Sequence, residues 1–299
     1  MYKDENRHIF WSKFFMRART VLVYTVLVLL AILCLFTMYL LIINSTRSND
    51  AIRRGFSPLP GGSIAHNFGL LFDNKNPDGA PSTYNVNLLQ AMGNSLFVAI
   101  GATICSVYFS TVVAYGIHLY KFKLRNAAFT FILVVMMIPT QVSTAGFVRI
   151  CYQFKWINHF FPLIIPSVAS PVTFFYIKQY MESVLPYEMV EAARVDGAGE
   201  IRIFHQIVLP VMKPALAVQI IFAFVGSWNN YFLPQLILTK GNKATFPLVI
   251  AKMYSGSNKS LDYGMINACL FLAVIPLTVV YFFFSRFILK GLTLGAVKG

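Results

Sequence analysis

Apolar residues in this chain run in long unbroken blocks. They show neither the strict alternation of half-buried strands nor the one-sided stripe of a soluble helix. Six blocks stand out, at about 20–43, 93–117, 127–149, 160–181, 214–239 and 265–289. The first, Thr20–Ile43, makes roughly 36 Å of helix at about 1.5 Å per residue. That crosses a hydrocarbon core of about 30 Å with some tilt. It is too long for the apolar part of a cleavable leader, and no small-residue cleavage site follows promptly, so a retained span is expected. The block at 160–181 is the least regular, because Pro162, Pro166 and Pro171 interrupt it. Membrane helices tolerate proline where neighbouring helices satisfy the freed backbone groups. The expected fold is therefore all-α, a polytopic membrane bundle of about six transmembrane helices.

Between the blocks lie a basic N-terminal segment, 1–19, and a long turn-rich loop, 44–92, with Pro58, Pro60, Gly61, Gly62, Pro77, Gly79 and Pro81. The core, 93–289, includes a polar loop at 182–213, and a short tail follows at 290–299. Basic residues favour the inner side of membrane loops. Lys3, Arg7, Lys13, Arg17 and Arg19 precede the first block, and Lys121, Lys123 and Arg125 fill the short loop after the second. Both ends are accordingly expected in the cytoplasm, although Arg149 and Lys155 count the other way.

Composition agrees with this layout: 57% of the 299 residues are hydrophobic and 12% charged, and the mean hydropathy is +0.63. The net charge of +14 belongs to loops flanking spans rather than to nucleic-acid binding, since no basic stripe with stacking aromatics accompanies it. Cys34, Cys105, Cys151 and Cys269 lie in or beside apolar blocks without a paired spacing and read as small hydrophobes. His8, His66, His118, His159 and His205 are scattered, so no metal site is expected. A phosphate-binding loop of the form GxxxxGK[ST] does not occur, and Lys240–Lys243 is only a basic turn.

The carboxylates are unevenly placed. Of eleven acidic residues, Glu182, Glu188, Glu191, Asp196 and Glu200 crowd into one loop, and none falls in the middle of a block. A proton-coupled carrier or membrane enzyme would bury such groups inside the bundle. The loop itself reads as helix, turn, helix. Met189, Ala192, Ala193 and Val195 are expected near one side of the first helix, and Gly197 suits the left-handed residue that closes it. Ile201, Ile203, Phe204, Ile207, Val208 and Leu209 are expected to give the second helix an apolar face, with Pro210 and Pro214 before the next span. Such a pair either lies on the membrane surface or docks a soluble partner; periodicity leaves both open.

The loop reads EAARVDGAGEIRIFHQIVLP over 191–210. This resembles the EAA loop of ABC-importer permeases, EAA-x3-G-x9-I-x-L-P. NSLFVAIGATICSV at 94–107, IP at 138–139, WNNYFLP at 228–234 and GLTLGAVKG at 291–299 extend the resemblance to carbohydrate importers. They are most similar to the family of the shorter maltose-transporter permease. The match is good over 90–299 and holds only in layout before that.

The resemblance implies a coupling loop seated in a separate ATPase subunit. Glu191 would face a basic group there, Ala192 and Ala193 would allow close approach, and Asp196 and Gly197 would form the turn. Ile207, Leu209 and Pro210 complete the motif, and Lys298 and Gly299 in the tail would approach the ATPase. The loop at 240–264 would touch a binding protein. The implied partners are a second permease, two ATPase subunits, an extracytoplasmic solute-binding protein and the lipid bilayer. The solute would be a carbohydrate, with an oligosaccharide expected and a polyol or glycerol phosphate as alternatives. ATP and magnesium would sit on the ATPase, leaving no cofactor and no covalent chemistry here. A bacterial cytoplasmic membrane is the expected location. One departure is Asn229-Asn230, where family members often carry Asn-Glu. Gln141, Ser143, Thr144, Trp228, Asn229, Asn230, Tyr231 and Asn267 are candidate pathway residues, or polar contacts between helices. The rival class is a stand-alone secondary transporter or channel, which buried charges or inverted repeats would favour; neither is seen.

Overall fold

A computed structural model describes residues 2–72, 87–255 and 262–296, and among these every regular element is helical. The chain begins with α1 (Tyr2–Ser45), followed by the short α2 (Asn49–Arg53) and α3 (Ile64–Phe72). Next come α4 (Leu88–Leu119), α5 (Arg125–Met136), α6 (Thr140–Gln153), α7 (Phe161–Ile164) and α8 (Pro171–Val184). The polar loop forms α9 (Tyr187–Val195), α10 (Glu200–Ile203) and α11 (Leu209–Val211). The chain continues through α12 (Lys213–Trp228), α13 (Phe232–Ile237), α14 (Phe246–Ser255) and α15 (Tyr263–Ala296).

Four stretches are long and apolar enough to cross a membrane: Met16–Ser45, Leu88–Leu119, Phe161–Val184 and Tyr263–Ile288. Two bent helix pairs raise the number to six. The expectation of a continuous third span over 127–149 is corrected: α5 and α6 meet at 93°. Pro139 causes the break, because it lacks an amide proton and disfavours helical backbone at Ile138. The block at 160–181, by contrast, accommodates its prolines. Pro162, Pro166 and Pro171 each sit in the first turn of a short helical segment, where the missing donor has no helical partner to lose. The fifth block is also corrected: α12 ends at Trp228 and α13 starts at Phe232, so 214–239 is not one helix.

The chain divides into two compact units, 1–71 with 262–271 and 72–261 with 272–299. In the first, only 6% of the apolar window in α1 is buried, which marks it as a helix facing lipid or another subunit. Beyond its end, the expected turn-rich loop contains α2 and α3 and is tied by a polar knot. Arg47, 8% exposed, donates to the carbonyls of Ala51 and Gly55 at 2.6 and 3.0 Å. Asn67 Nδ2 donates to the carbonyls of Ser45 and Arg47 at 2.8 and 2.9 Å. A Cβ on Gly264 would lie 2.7 Å from the Arg47 carbonyl, so glycine is what lets α15 begin there.

In the second unit α4 is the central helix, packed by α7, α8, α12 and α14. Its buried face is rich in small residues, among them Ala99, Ala102, Ser106, Ser110, Thr111 and Ala114. Small residues let membrane helices approach closely. Ser106 Oγ reaches Thr173 Oγ1 of α8 at 3.1 Å, and Ser95 Oγ accepts the Phe246 amide of α14 at 2.7 Å. The stretch at 240–264, expected as a loop, contains α14 with Phe246, Leu248, Val249 and Met253 buried. Asn158, in left-handed backbone with φ 63°, fastens the end of α13. Its Oδ1 accepts the amides of Thr239 and Lys240, each at 2.8 Å.

Candidate functional site

The polar loop folds as a helix pair whose geometry follows from local chemistry. Pro186 ends α8 and precedes α9 in extended backbone, with φ −65° and ψ 146°. Glu188 in the first turn and Arg194 in the last both suit the helix dipole. Gly197 has φ +79°, the region glycine enters without a Cβ clash. Its amide donates to the Arg194 carbonyl at 3.0 Å, and the Ala198 amide donates to the Ala193 carbonyl at 3.0 Å. This is a Schellman closure, with two carbonyls at the helix end satisfied.

The buried face differs from the expected one. Val190 and Ala193 enter the core, whereas Ala192 and Val195 point outward and Met189 is 39% exposed. In the second helix Ile203, Phe204 and Val208 are buried, Ile207 and Leu209 half-buried, and Ile201 is 79% exposed. Val190, Ala193, Ile203, Phe204 and Val208 share one hydrophobic cluster with Met181 and Leu185 of the α8 end and Tyr115 and Ile117 of α4. This anchorage leaves Glu188, Glu191, Ala192, Val195, Asp196 and Ile201 on the free side. Val195, at 87% exposed, and Ile201 are large apolar side chains presented outward beside carboxylates.

Between α10 and α11, residues Phe204–Val208 are wound as a π-helix, and the Leu209 amide bonds back to the Phe204 carbonyl. Pro210 supplies the reason. It has no amide proton to offer the Gln206 carbonyl four residues earlier, so the ladder slips by one residue.

An ionic cluster closes the turn. Arg194 Nε donates to Glu200 Oε1 at 2.7 Å, and the Tyr115 hydroxyl donates to Glu200 Oε2 at 2.7 Å. The Arg194 guanidinium, with the Tyr115 and Tyr120 hydroxyls, holds the Glu200 carboxyl below its ordinary 4.5, at about 2, against the opposing effect of burial. The same pairing raises Arg194 further, and burial followed by the Glu200 carboxylate raises Tyr120. Arg194 also lies 5.5 Å from the Tyr120 ring centre. Sequence reasoning missed this cluster. Its one sequence-level signal was an arginine and a glutamate on either side of a glycine turn.

The remaining candidates are dispersed. Trp228 is buried, stacked on Phe224 and Phe246 at 6.0 Å each, with Nε1 donating to the Ala273 carbonyl at 3.1 Å. Asn229, Asn230 and Tyr231 are exposed at the break between α12 and α13. Asn230 lines a small recess with Ser95, Ser227 and Thr245. Gln141 and Ser143 are exposed on the first turn of α6, and Thr144 donates to the Thr140 carbonyl at 2.7 Å. Asn267 is half-buried and donates to the Tyr263 carbonyl at 2.7 Å. Lys298 and Gly299 lie outside the described residues. Among the described residues no group of metal-ligating side chains assembles.

Residues 106–293 match the family model described as "Binding-protein-dependent transport system inner membrane component". The chain belongs to this family. It is a multi-pass permease subunit of a binding-protein-dependent importer. The permease is 33% identical to the arabinooligosaccharides transport system permease protein AraQ of Bacillus subtilis, over 69% of this chain and 72% of that one. It is 30% identical to the sn-glycerol-3-phosphate transport system permease protein UgpE of Salmonella typhi, over 92% of this chain and 96% of that one. It is also 30% identical to the lactose transport system permease protein LacG of Rhizobium radiobacter, over 92% and 95%. Among solved structures, a chain of a bacterial ABC transporter involved in alginate import shares the fold. Its TM-score is 0.74 at 19% identity, covering 90% of this chain and 96% of that one.

Proposed function

We propose that the 187–211 helix pair seats this permease on a cytoplasmic ATPase subunit and that the importer carries a carbohydrate, with an oligosaccharide as the leading substrate class. The observation that carries the seating is the free side of the pair. Val195 and Ile201 are exposed, as are Glu191 and Asp196, on a helix pair whose Val190, Ala193, Ile203, Phe204 and Val208 are locked into the core. Apolar anchors ringed by charge favour a partner cleft with an apolar floor and a basic rim.

ATP binding and hydrolysis on the partner would move the pair, and the bundle would alternate between inward- and outward-open forms. This chain would contribute no covalent step. The weakly buried α1 supports a second permease alongside it, and both chain ends would be cytoplasmic. Asn229, Asn230, Tyr231, Gln141, Ser143 and Thr144 are the proposed pathway groups of this subunit, since the first three and the α6 turn present polar atoms at helix breaks. Trp228 would support that break from inside the core. Relatives named for arabinooligosaccharides and lactose support the sugar reading. Those named for sn-glycerol-3-phosphate, matched over 92% of the chain, favour a polyol phosphate as the second reading.

Glu191→Lys reverses the outward charge, and Gly197→Asp adds a carboxylate at the turn. Each variant is expected to reach the membrane at wild-type level and lose uptake in cells. Normal uptake by both variants refutes the seating. The ligand bound by the cognate binding protein decides between sugar and polyol phosphate.

A further inference from the structure

The outer surface of the helix pair accounts for contact with a partner and leaves open how a push there reaches the spans. The pair contains Gly197 and Gly199 with only Ala198 between them, and such a turn bends easily. Apolar packing by Val190 and Ile203 resists separation but is non-directional and permits sliding. Hydrogen bonds of fixed geometry do not.

The Glu200 carboxylate is shared between two elements. Its Oε1 holds Arg194 of α9 at 2.7 Å, which locks the two helices to each other across the glycines. Its Oε2 holds the Tyr115 hydroxyl at 2.7 Å, which locks them to the last turn of α4. Tyr115 is itself fixed: it is 6% exposed and edge-on to Phe204 at 5.5 Å and Tyr120 at 6.2 Å. A second tie lies next to it, where His118 Nε2 meets the Leu185 carbonyl at 3.0 Å, just before α9. α4 in turn packs on α7, α8, α12 and α14.

We propose that Tyr115 and Glu200 are positioning residues that join the helix pair and the end of α4 into one rigid body, so that displacement of the pair is delivered to the central helix instead of being absorbed in the glycine turn. This rests on the pair being the ATPase seat.

The test uses the assembled importer in nanodiscs, purified through a tag on this chain. Spin labels are placed at Lys123→Cys beyond α4 and Gln206→Cys in the helix pair, both exposed, with the native cysteines replaced. The expected result without substitution at Tyr115 or Glu200 is one narrow distance, unchanged between the nucleotide-free and the ATP–vanadate-trapped states. Tyr115→Phe keeps the ring and removes only the hydroxyl. It and Glu200→Ala are expected to retain the ATPase subunit and its ATP hydrolysis while the single distance is lost. The double variant is expected to behave as Glu200→Ala alone. A distance that changes between the two states in the parent, or that stays narrow in Tyr115→Phe, overturns the proposal. Failure of the parent to retain any ATPase overturns the seating instead, so the two failures are distinguishable.

Discussion

Replacing Gly197 with alanine isolates a single physical effect. At φ +79° nothing lies within 4 Å of an added Cβ, so no neighbour has to move and the cost is confined to the backbone. A non-glycine residue in left-handed conformation costs about 1–2 kcal/mol. The turn is exposed and held by two backbone bonds, from Gly197 to Arg194 and from Ala198 to Ala193, and by the Arg194–Glu200 ion pair across it. The strain lowers the population of the native turn in the free loop, and docking bears the cost of restoring it. About 1–2 kcal/mol corresponds to a factor of roughly 5–30, which is the expected loss of apparent affinity for the ATPase subunit. Titrating purified ATPase onto the permease in nanodiscs, with its second permease present, reads this number directly. Gly197→Asn is the control, because asparagine enters the left-handed region more readily, and its loss should be smaller. Amounts in the membrane should not change, since the anchoring residues are untouched. If Gly197→Ala docks as tightly as the parent, or if Ala and Asn weaken docking equally, backbone conformation is not what this glycine supplies.

Three further outcomes follow from the same geometry. Trp228→Ala is expected to destabilise the purified protein by about 3–5 kcal/mol, while Trp228→Phe keeps a stacked ring and loses about 1 kcal/mol with its bond to the Ala273 carbonyl. Thermal unfolding in detergent should rank them in that order. Gly264→Ala places a methyl 2.7 Å from the Arg47 carbonyl and should cost about 1–3 kcal/mol, whereas Gly62→Ala, with open space around it, should leave the melting temperature unchanged. Because the folded-state value of Glu200 is depressed, its clasp contributes fully above about 4.5 and is lost only as pH falls toward about 2. The single narrow distance between labels at 123 and 206 should thus be unchanged between about pH 8 and about pH 5; broadening through that window would show that another group holds the pair to α4.

Hydropathy made the spans legible because a membrane helix carries its burial signal in composition alone. Its breaks were not legible in the same way. Pro162, Pro166 and Pro171 suggested trouble in the fourth block, yet each falls where a helix begins, while the lone Pro139 bends the third by 93°. Position within the hydrogen-bond ladder decides the effect of a proline, and that position is set by the neighbours. The EAA spacing located the helix pair, but the faces within it were misassigned. Alanine reads as apolar while tolerating exposure, and Val195 and Ile201 are apolar residues kept outside the core. The Tyr115–Glu200 bond joins residues 85 apart; no local pattern encodes such a contact, and only the packing of α4 against the loop creates it.

The polar face of α4 also has a consequence for how the chain is made. Thr103 and Thr111 bond back to their own helix, at the carbonyls of Ala99 and Val107, so they can meet lipid at little cost. Ser106 must wait for Thr173, and Ser95 for the amide of Phe246. A ribosome adding about 5–20 residues per second reaches Phe246 on the order of 6–25 s after finishing α4. During that interval the Ser95 oxygen lacks the amide it accepts in the folded bundle. The central helix is therefore synthesised well before its packing is complete, and a chain that stalls before α14 would leave Ser95 without the amide it holds in the finished bundle.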